Sequence, residues 1–316
     1  MPDDRIASES AAVAAELTAV IVAVTDGEPM VLTIERGEAL PSGPFEQSHR
    51  SLQAGLRAWV ETQTHHPLGY VEQLYTFADQ GRKQGSVGRV VSVSYLGLTR
   101  QAPVMYGWDA EWQPWYRYFP WEDTRATCPK QPASLLLPHL HAWAAAPDPV
   151  VQRERERRIR VNFGADDQHW NEELVLQRYE TLWEAGLVPE ARRADVVPSP
   201  QARTLTGHPM RHDHRRILAT GIARLRAKIK YRPVVFELMA ETFTLLQLQR
   251  TVEALAGRSL HKQNFRRLID QQDLVEETGG ITTGTGGRPA KLFRFRREIL
   301  AERQVAGTKL PLVRAV

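Results

Sequence analysis

The sequence predicts two folded units of different class: a mixed α/β region up to about residue 200, and a winged helix-turn-helix over residues 233–316. Short β-branched runs near the N-terminus alternate with a stretch of helical spacing. A Pro, Ser and Thr-rich connection, "VVPSPQARTLTGHP" at 196–209, separates two differently patterned regions. Beyond it, two helical patterns flank a glycine turn and lead into a Gly/Thr-rich hairpin. A chain of 316 residues is long enough for two cores.

The elements follow in order. "AVIVAV" at 19–24 and "PMVLTIE" at 29–35 flank "TDGE", a hairpin signal. Residues 48–64 space Leu52, Leu56 and Val60 four apart, as one apolar stripe of a helix, and "GRVVSVSYLGLT" at 88–99 reads as a buried strand. Residues 123–200 read as a helical extension. In it "RERERRIR" at 153–160 is a solvated helix face. Trp170, Leu174, Leu176, Tyr179 and Leu182 mark a further helix that ends at Gly186 and suits a subunit contact. A basic linking helix spans 201–232 and stops before Pro233. Thr244 and Gln247 form a capping box for a helix with buried Leu248, Val252 and Leu255, closed by Gly257. Ser259 caps a second helix to about Gln271 with an apolar stripe of Phe265, Leu268 and Ile269. "LVEET" and "AKLFRFR" pair as the strands of a wing.

Charge divides along the same boundary. From Arg203 onward there are 22 Lys and Arg against 10 Asp and Glu, while residues 1–202 hold 19 and 27. An acidic body with a basic end fits a polyanion-binding module joined to something else. Gln263, Arg266 and Arg267 point away from the apolar stripe of the second helix, with Lys262 and Asn264 on its shoulders, so donors for base edges and phosphates face outward. In the wing, Thr283, Arg288 and Lys291 are placed to meet phosphates, and Thr244 heads the helix that crosses the backbone. Protein and RNA contacts are other uses of such a module. A nucleotide-cradling reading of the glycine loop is disfavoured because a strand, not a helix, follows it. The single cysteine, Cys128, excludes an intrachain disulfide and a thiolate zinc site. His139, His141, His208, His212 and His214 lack nearby carboxylates or thiols, so no metal is expected. An acidic, polar start and the absence of a long apolar run point to a cytoplasmic protein without membrane contact.

Residues Gly43–Gln63 resemble a Nudix box. Gly43, Arg57, Trp59 and Glu61 match its glycine, arginine, bulky apolar position and one glutamate, while His49, Ala58, Thr62 and Thr64 stand at the other glutamates and the second glycine. An active box needs clustered carboxylates to hold Mg²⁺, so hydrolysis is expected to be absent. The order of this box, "YVEQLYTFADQGRKQGSVGRVVSVSYLGL" at 70–98, "RLRAKIKY", and "HKQNFRRLI" with "GRPAKLFRF" resembles the Nudix-related transcriptional regulators of NAD metabolism (NrtR-like). The extra segment 123–200 is similar to their longer alphaproteobacterial branch.

The resemblance implies a Nudix-like α/β/α sandwich over 1–200 with a helical insertion, and a dimeric repressor of NAD biosynthesis genes on a palindromic duplex operator. It implies no cofactor, but an adenine nucleotide effector: ADP-ribose, NAD or ATP. The expected effector residues are Arg36 and Arg82 for the diphosphate, Tyr75, Phe77 or Tyr95 for the base, and Glu61 and Gln73 beside them. An active Nudix hydrolase with a regulatory winged helix is the rival reading, with Glu46 and Glu72 supplying the missing carboxylates. A protein-interaction adaptor is disfavoured by the exposed Arg and Lys.

Overall fold

The computed structural model describes residues 13–66, 68–78, 90–101, 109–125, 132–166, 168–191, 205–231, 234–282 and 289–296. Eight strands are described: β1 Ala14–Thr25, β2 Glu28–Thr33, β3 Ser42–Pro44, β4 Tyr70–Phe77, β5 Val90–Leu98, β6 Glu111–Pro114, β7 Val275–Thr282 and β8 Ala290–Phe295. The α-helices are α1 Leu52–Thr64, α2 Pro132–Ala144, α3 Pro149–Phe163, α4 Val175–Glu184, α5 His214–Tyr231, α6 Leu245–Ala256 and α7 Lys262–Gln272.

The first six strands form one sheet in the order β4-β5-β1-β2-β6, with β3 also paired to β1. Pairing is antiparallel except between β1 and β5. The β1–β2 hairpin turns at Asp26 and Gly27, whose φ values of 53° and 78° are those a two-residue type I′ connection requires. Both faces of β1 are covered, which is why its sequence reads as an almost unbroken apolar run. Leu17, Ala19 and Ile21 pack with Leu56 and Val60 of α1, Val93 and Tyr95. Val20 and Val22 join Leu96, Leu98 and the Ile217, Ile222 and Leu225 side chains of α5. The sandwich of helix, sheet and helix expected for the N-terminal region is therefore present.

The insertion is helical, but Trp170 and Leu174 precede α4 instead of lying within it, because residues 171–174 turn before the helix starts at Val175. Its last turn is followed by Gly186 at φ 69°, as expected. Helix α6 carries the anticipated capping box: the Gln247 amide donates to Thr244 Oγ1 at 3.2 Å and the Thr244 amide to Gln247 Oε1 at 2.8 Å. Helix α7 starts later than expected, with His261 and not Ser259 at its N-cap. Phe265 and Ile269 are buried, but Leu268 is 49% exposed, since the small domain covers only the arc that holds the other two. Strands β7 and β8 form the wing, and Phe243 adds a bridge to Phe293. No helix among the described residues is long and apolar enough to cross a membrane.

Candidate effector and nucleic-acid sites

Helix α1, with the loop before it, carries the residues that resemble a Nudix box, and Glu61 is the carboxylate on it. Ser51 caps it, its Oγ accepting from the Ala54 amide at 3.1 Å. Gly43 lies under the indole of Trp59; a Cβ there would meet the ring at 2.3 Å, so only glycine fits. The Trp59 Nε1–H donates to Pro44 O at 2.8 Å, and Gln63 both accepts from Ser42 N (3.0 Å) and donates to Ser42 O (2.8 Å). Arg57 donates to Leu68 O and, at 2.9 Å, to Gly69 O, fixing the chain that leaves the helix. His49 accepts from the Glu46 amide at 3.0 Å and stacks on Phe45 with ring centroids 5.9 Å apart. The Thr64 hydroxyl donates back to Val60 O at 2.7 Å. Of the positions that depart from the box, His49 thus braces the loop before the helix and Thr64 bonds back into the helix itself.

Glu61 remains exposed on this helix. Glu72 cannot join it, because strand alternation points Glu72 to the opposite face of the sheet, where it pairs with Lys228 of α5. Glu46 accepts from Ser48 Oγ at 3.3 Å. Among the described residues, no three His, Cys, Asp or Glu side chains gather into a group that could hold a metal.

The expected effector residues separate into two sets. Gln73, exposed, lies directly across from Tyr95 in the β4–β5 register, but Tyr95 is only 5% exposed and packs beneath α1, where burial raises its phenol pKa. Phe77, 6% exposed, packs towards α5, with the Arg216 guanidinium 4.7 Å from its centroid. Neither ring has a free face for a base. Tyr75 does: it is 58% exposed, beside Phe77 at 4.9 Å. Arg36 is exposed on a turn in which Glu35, Arg36 and Gly37 have φ values of 53°, 56° and 85°. Two successive non-glycine residues in the left-handed region cost about 1–2 kcal/mol each, and the surroundings hold them. Tyr118 OH donates to Gly37 O at 2.6 Å, and Arg211 pairs with Glu35 and Glu38 at 2.9 and 2.8 Å. Arg82 lies outside the described residues, as do Thr283 and Arg288.

The winged helix presents a different surface. Lys262, Gln263, Asn264, Arg266 and Arg267 are all exposed on α7, and their side chains make no hydrogen bond or ion pair among the described residues. Gln263 and Arg267 lie most nearly opposite the buried Phe265 and Ile269. Thr244 does not share this surface, being 8% exposed with its hydroxyl occupied in the capping box. On the wing, Lys291 contacts Glu277 at 2.8 Å and Arg294 contacts Glu276 at 2.7 Å, so Lys291 is exposed but paired.

Sequence reasoning missed the contacts at the junction of the two units. Glu122 is fully buried between Arg178 and Arg226; Arg178 Nε lies 2.5 Å from Oε1, and Arg226 Nη1 contacts Oε2. Burial would raise the Glu122 carboxyl, but the two guanidiniums outweigh it and hold the pKa below the usual carboxylate range. The three residues lie far apart in the chain and share no motif, so no local signal could have joined them.

Residues 235–295 match the sequence model of the NrtR DNA-binding winged helix domain. Over 83 residues the chain is 40% identical to the ADPR responsive transcriptional repressor NtrR of Acinetobacter baylyi, an alignment that covers 26% of this chain and about a third (33%) of that relative. Shewanella oneidensis NrtR, solved in complex with a 27mer DNA, superposes with a TM-score of 0.54 at 21% identity, covering 90% of this chain and 95% of that one. A MutT/nudix family protein from Enterococcus faecalis superposes with a TM-score of 0.51 at 15% identity, covering 94% and 89%. At these identities the structural likeness is one of fold. The chain therefore combines a Nudix-fold domain with a helical insertion and, behind it, a winged helix of the NrtR DNA-binding type.

Proposed function

We propose that this chain is a transcriptional repressor whose α7 reads the major groove of a duplex operator and whose Nudix domain binds ADP-ribose without cleaving it. The observation that carries the reading is the outer face of α7: five donor-bearing side chains, exposed and without a partner among the described residues, on a winged helix of the NrtR type. Side chains left in this state fit base edges and phosphates. The Acinetobacter relative is ADPR responsive by name, which favours ADP-ribose over NAD or ATP as effector. Glu61 alone does not supply the carboxylate set that Mg²⁺ chemistry needs.

Two recognition helices must reach successive major grooves about 34 Å apart, so a homodimer on a palindromic operator suits the single reading helix of each chain. ADP-ribose then acts by favouring a dimer geometry with a different spacing, weakening operator binding by its differential affinity. Arg36 and Arg82 are assigned to the diphosphate and Tyr75 to the base, with Gln73 and Glu61 at the rim. The regulated genes are assigned to NAD biosynthesis and the protein to the cytoplasm.

Fluorescence anisotropy on the promoter of the chain's own gene, titrated with ADP-ribose, NAD and ATP, tests the reading. ADP-ribose should weaken operator binding by about 5- to 150-fold, the usual range of allosteric coupling, and should be recovered intact after incubation with Mg²⁺. Binding that ignores all three nucleotides, or rapid loss of ADP-ribose, would overturn it.

A further inference from the structure

The last turn of α6 is gripped by the Nudix domain. A helix ends with carbonyls that lack intrahelical partners and with the negative end of its dipole. Here Ala254 O accepts from Tyr116 OH at 2.6 Å and Leu255 O from Arg226 Nε at 2.9 Å. Gly257 O accepts from the amide and hydroxyl of Thr124 at 2.7 and 2.8 Å. All these donors lie outside the winged helix.

The charges at this junction are arranged to the same end. Two buried guanidiniums share the Glu122 carboxylate, and one of them, Arg226, also reaches the C-terminus of α6. Gly257, at φ 72°, sits so close that a Cβ would meet Glu122 O at 2.2 Å. The insertion adds a strap, with Glu172 3.5 Å from Arg258 in the turn between α6 and α7. The apolar core is continuous across the boundary: Leu225 of α5, Leu248 and Leu255 of α6 and Phe265 of α7 belong to the cluster that contains Val20 of β1.

Arg226 belongs to α5, and the other end of that helix holds the Arg36 turn. Leu40 N donates to His214 Nδ1 at 3.0 Å, and Arg211 N donates to Glu38 O at 2.7 Å. Between the two ends, Gly221 rests against β1, where a Cβ would approach Val20 within 2.9 Å.

We propose that Tyr116, Glu122, Thr124 and Arg226 are positioning residues for DNA reading. They lock α6, and through it α7, to the Nudix domain, and α5 transmits the state of the Arg36 turn to that lock. This rests on the repressor reading above and adds its route of regulation: sensor and reading helix move as one body, so a ligand at the turn re-aims α7 without touching it. Densely packed, paired groups of this kind have few intermediate arrangements.

The test uses Tyr116→Phe with Thr124→Val, which removes two donors to α6 and leaves the buried ions in place, beside Arg226→Lys, which keeps the charge and loses the fork. Hydrogen exchange is followed over the whole ligand-free chain, and operator affinity is measured alongside. Each lost bond should speed exchange in α6 by about fivefold, the factor of one buried hydrogen bond. The increase should reappear at residues 34–40 and 211–214, at the far end of α5, and not in α1. Operator binding should weaken by a similar factor, while affinity for random duplex stays the same. Faster exchange confined to α6, or no change at all, would overturn the proposal. If the wild-type chain binds no operator, the repressor reading fails and the spread of exchange still decides whether α5 couples the two ends.

Discussion

Helices α1 and α7 are of similar length and both amphipathic, yet they dispose of their polar faces in opposite ways. On α1, Trp59 and Gln63 bond to the backbone of β3 and Arg57 to the loop that follows the helix, and His49, at a position expected to hold a carboxylate, braces the turn that precedes the helix. On α7, the corresponding donors bond nothing within the described residues. A hydrogen bond made inside the chain lends rigidity and is lost to a ligand; a donor left in water remains available to one. The difference explains how a box with a reduced set of carboxylates persists as a scaffold while a helix of marginal apolar content keeps its donors available.

Breaking the unpartnered side should have the largest effect. Gln263→Ala or Arg267→Ala should each cost about 1–3 kcal/mol on the operator and much less on scrambled duplex, with thermal stability nearly unchanged. Equal losses on both duplexes would reduce α7 to a phosphate contact.

The scaffold side should respond in the other currency. Arg57→Ala removes two hydrogen bonds to Leu68 O and Gly69 O and should lower unfolding stability by about 1–2 kcal/mol, read by urea titration, with operator affinity of the folded protein unaltered. A weaker effect on stability than on ADP-ribose binding would instead place Arg57 in the effector site.

The wing sharpens the comparison because Lys291 is exposed like the α7 cations but paired like those of the scaffold. Its partner Glu277 is itself half exposed, and such surface pairs contribute only about 0–1 kcal/mol. A phosphate can therefore displace the carboxylate, but the exchange releases less than a full counterion. Lys291→Ala should flatten the slope of log affinity against log salt by less than the roughly 0.9 expected per free phosphate contact. Glu277→Gln should steepen it, a sign that a purely structural wing would not show.

What the sequence determined by itself was set by neighbours along the chain. The capping box of Thr244 and Gln247 needs groups three residues apart, and the Asp26–Gly27 turn needs two residues that tolerate positive φ. The largely apolar β1 announces a strand covered on both faces, and the outward set on α7 follows from a period of 3.6. These are short-range geometries, and they sufficed for the order of elements and for helix α7 with its exposed face.

Tertiary structure alone decided which faces were covered and how charges were matched. Tyr95 and Phe77 look equally fit to stack on a base, yet each lies under a different helix layer, and Leu268, in register with buried neighbours, is left in solvent. Glu72, next to the expected site residue Gln73 on the same strand, pairs with Lys228 of α5, 156 residues away in sequence. Glu122 meets Arg178 and Arg226 from 56 and 104 residues away. Periodicity tells which side chains share a face, but which body then packs on that face depends on contacts between distant segments, and desolvation makes those contacts decisive for every buried charge.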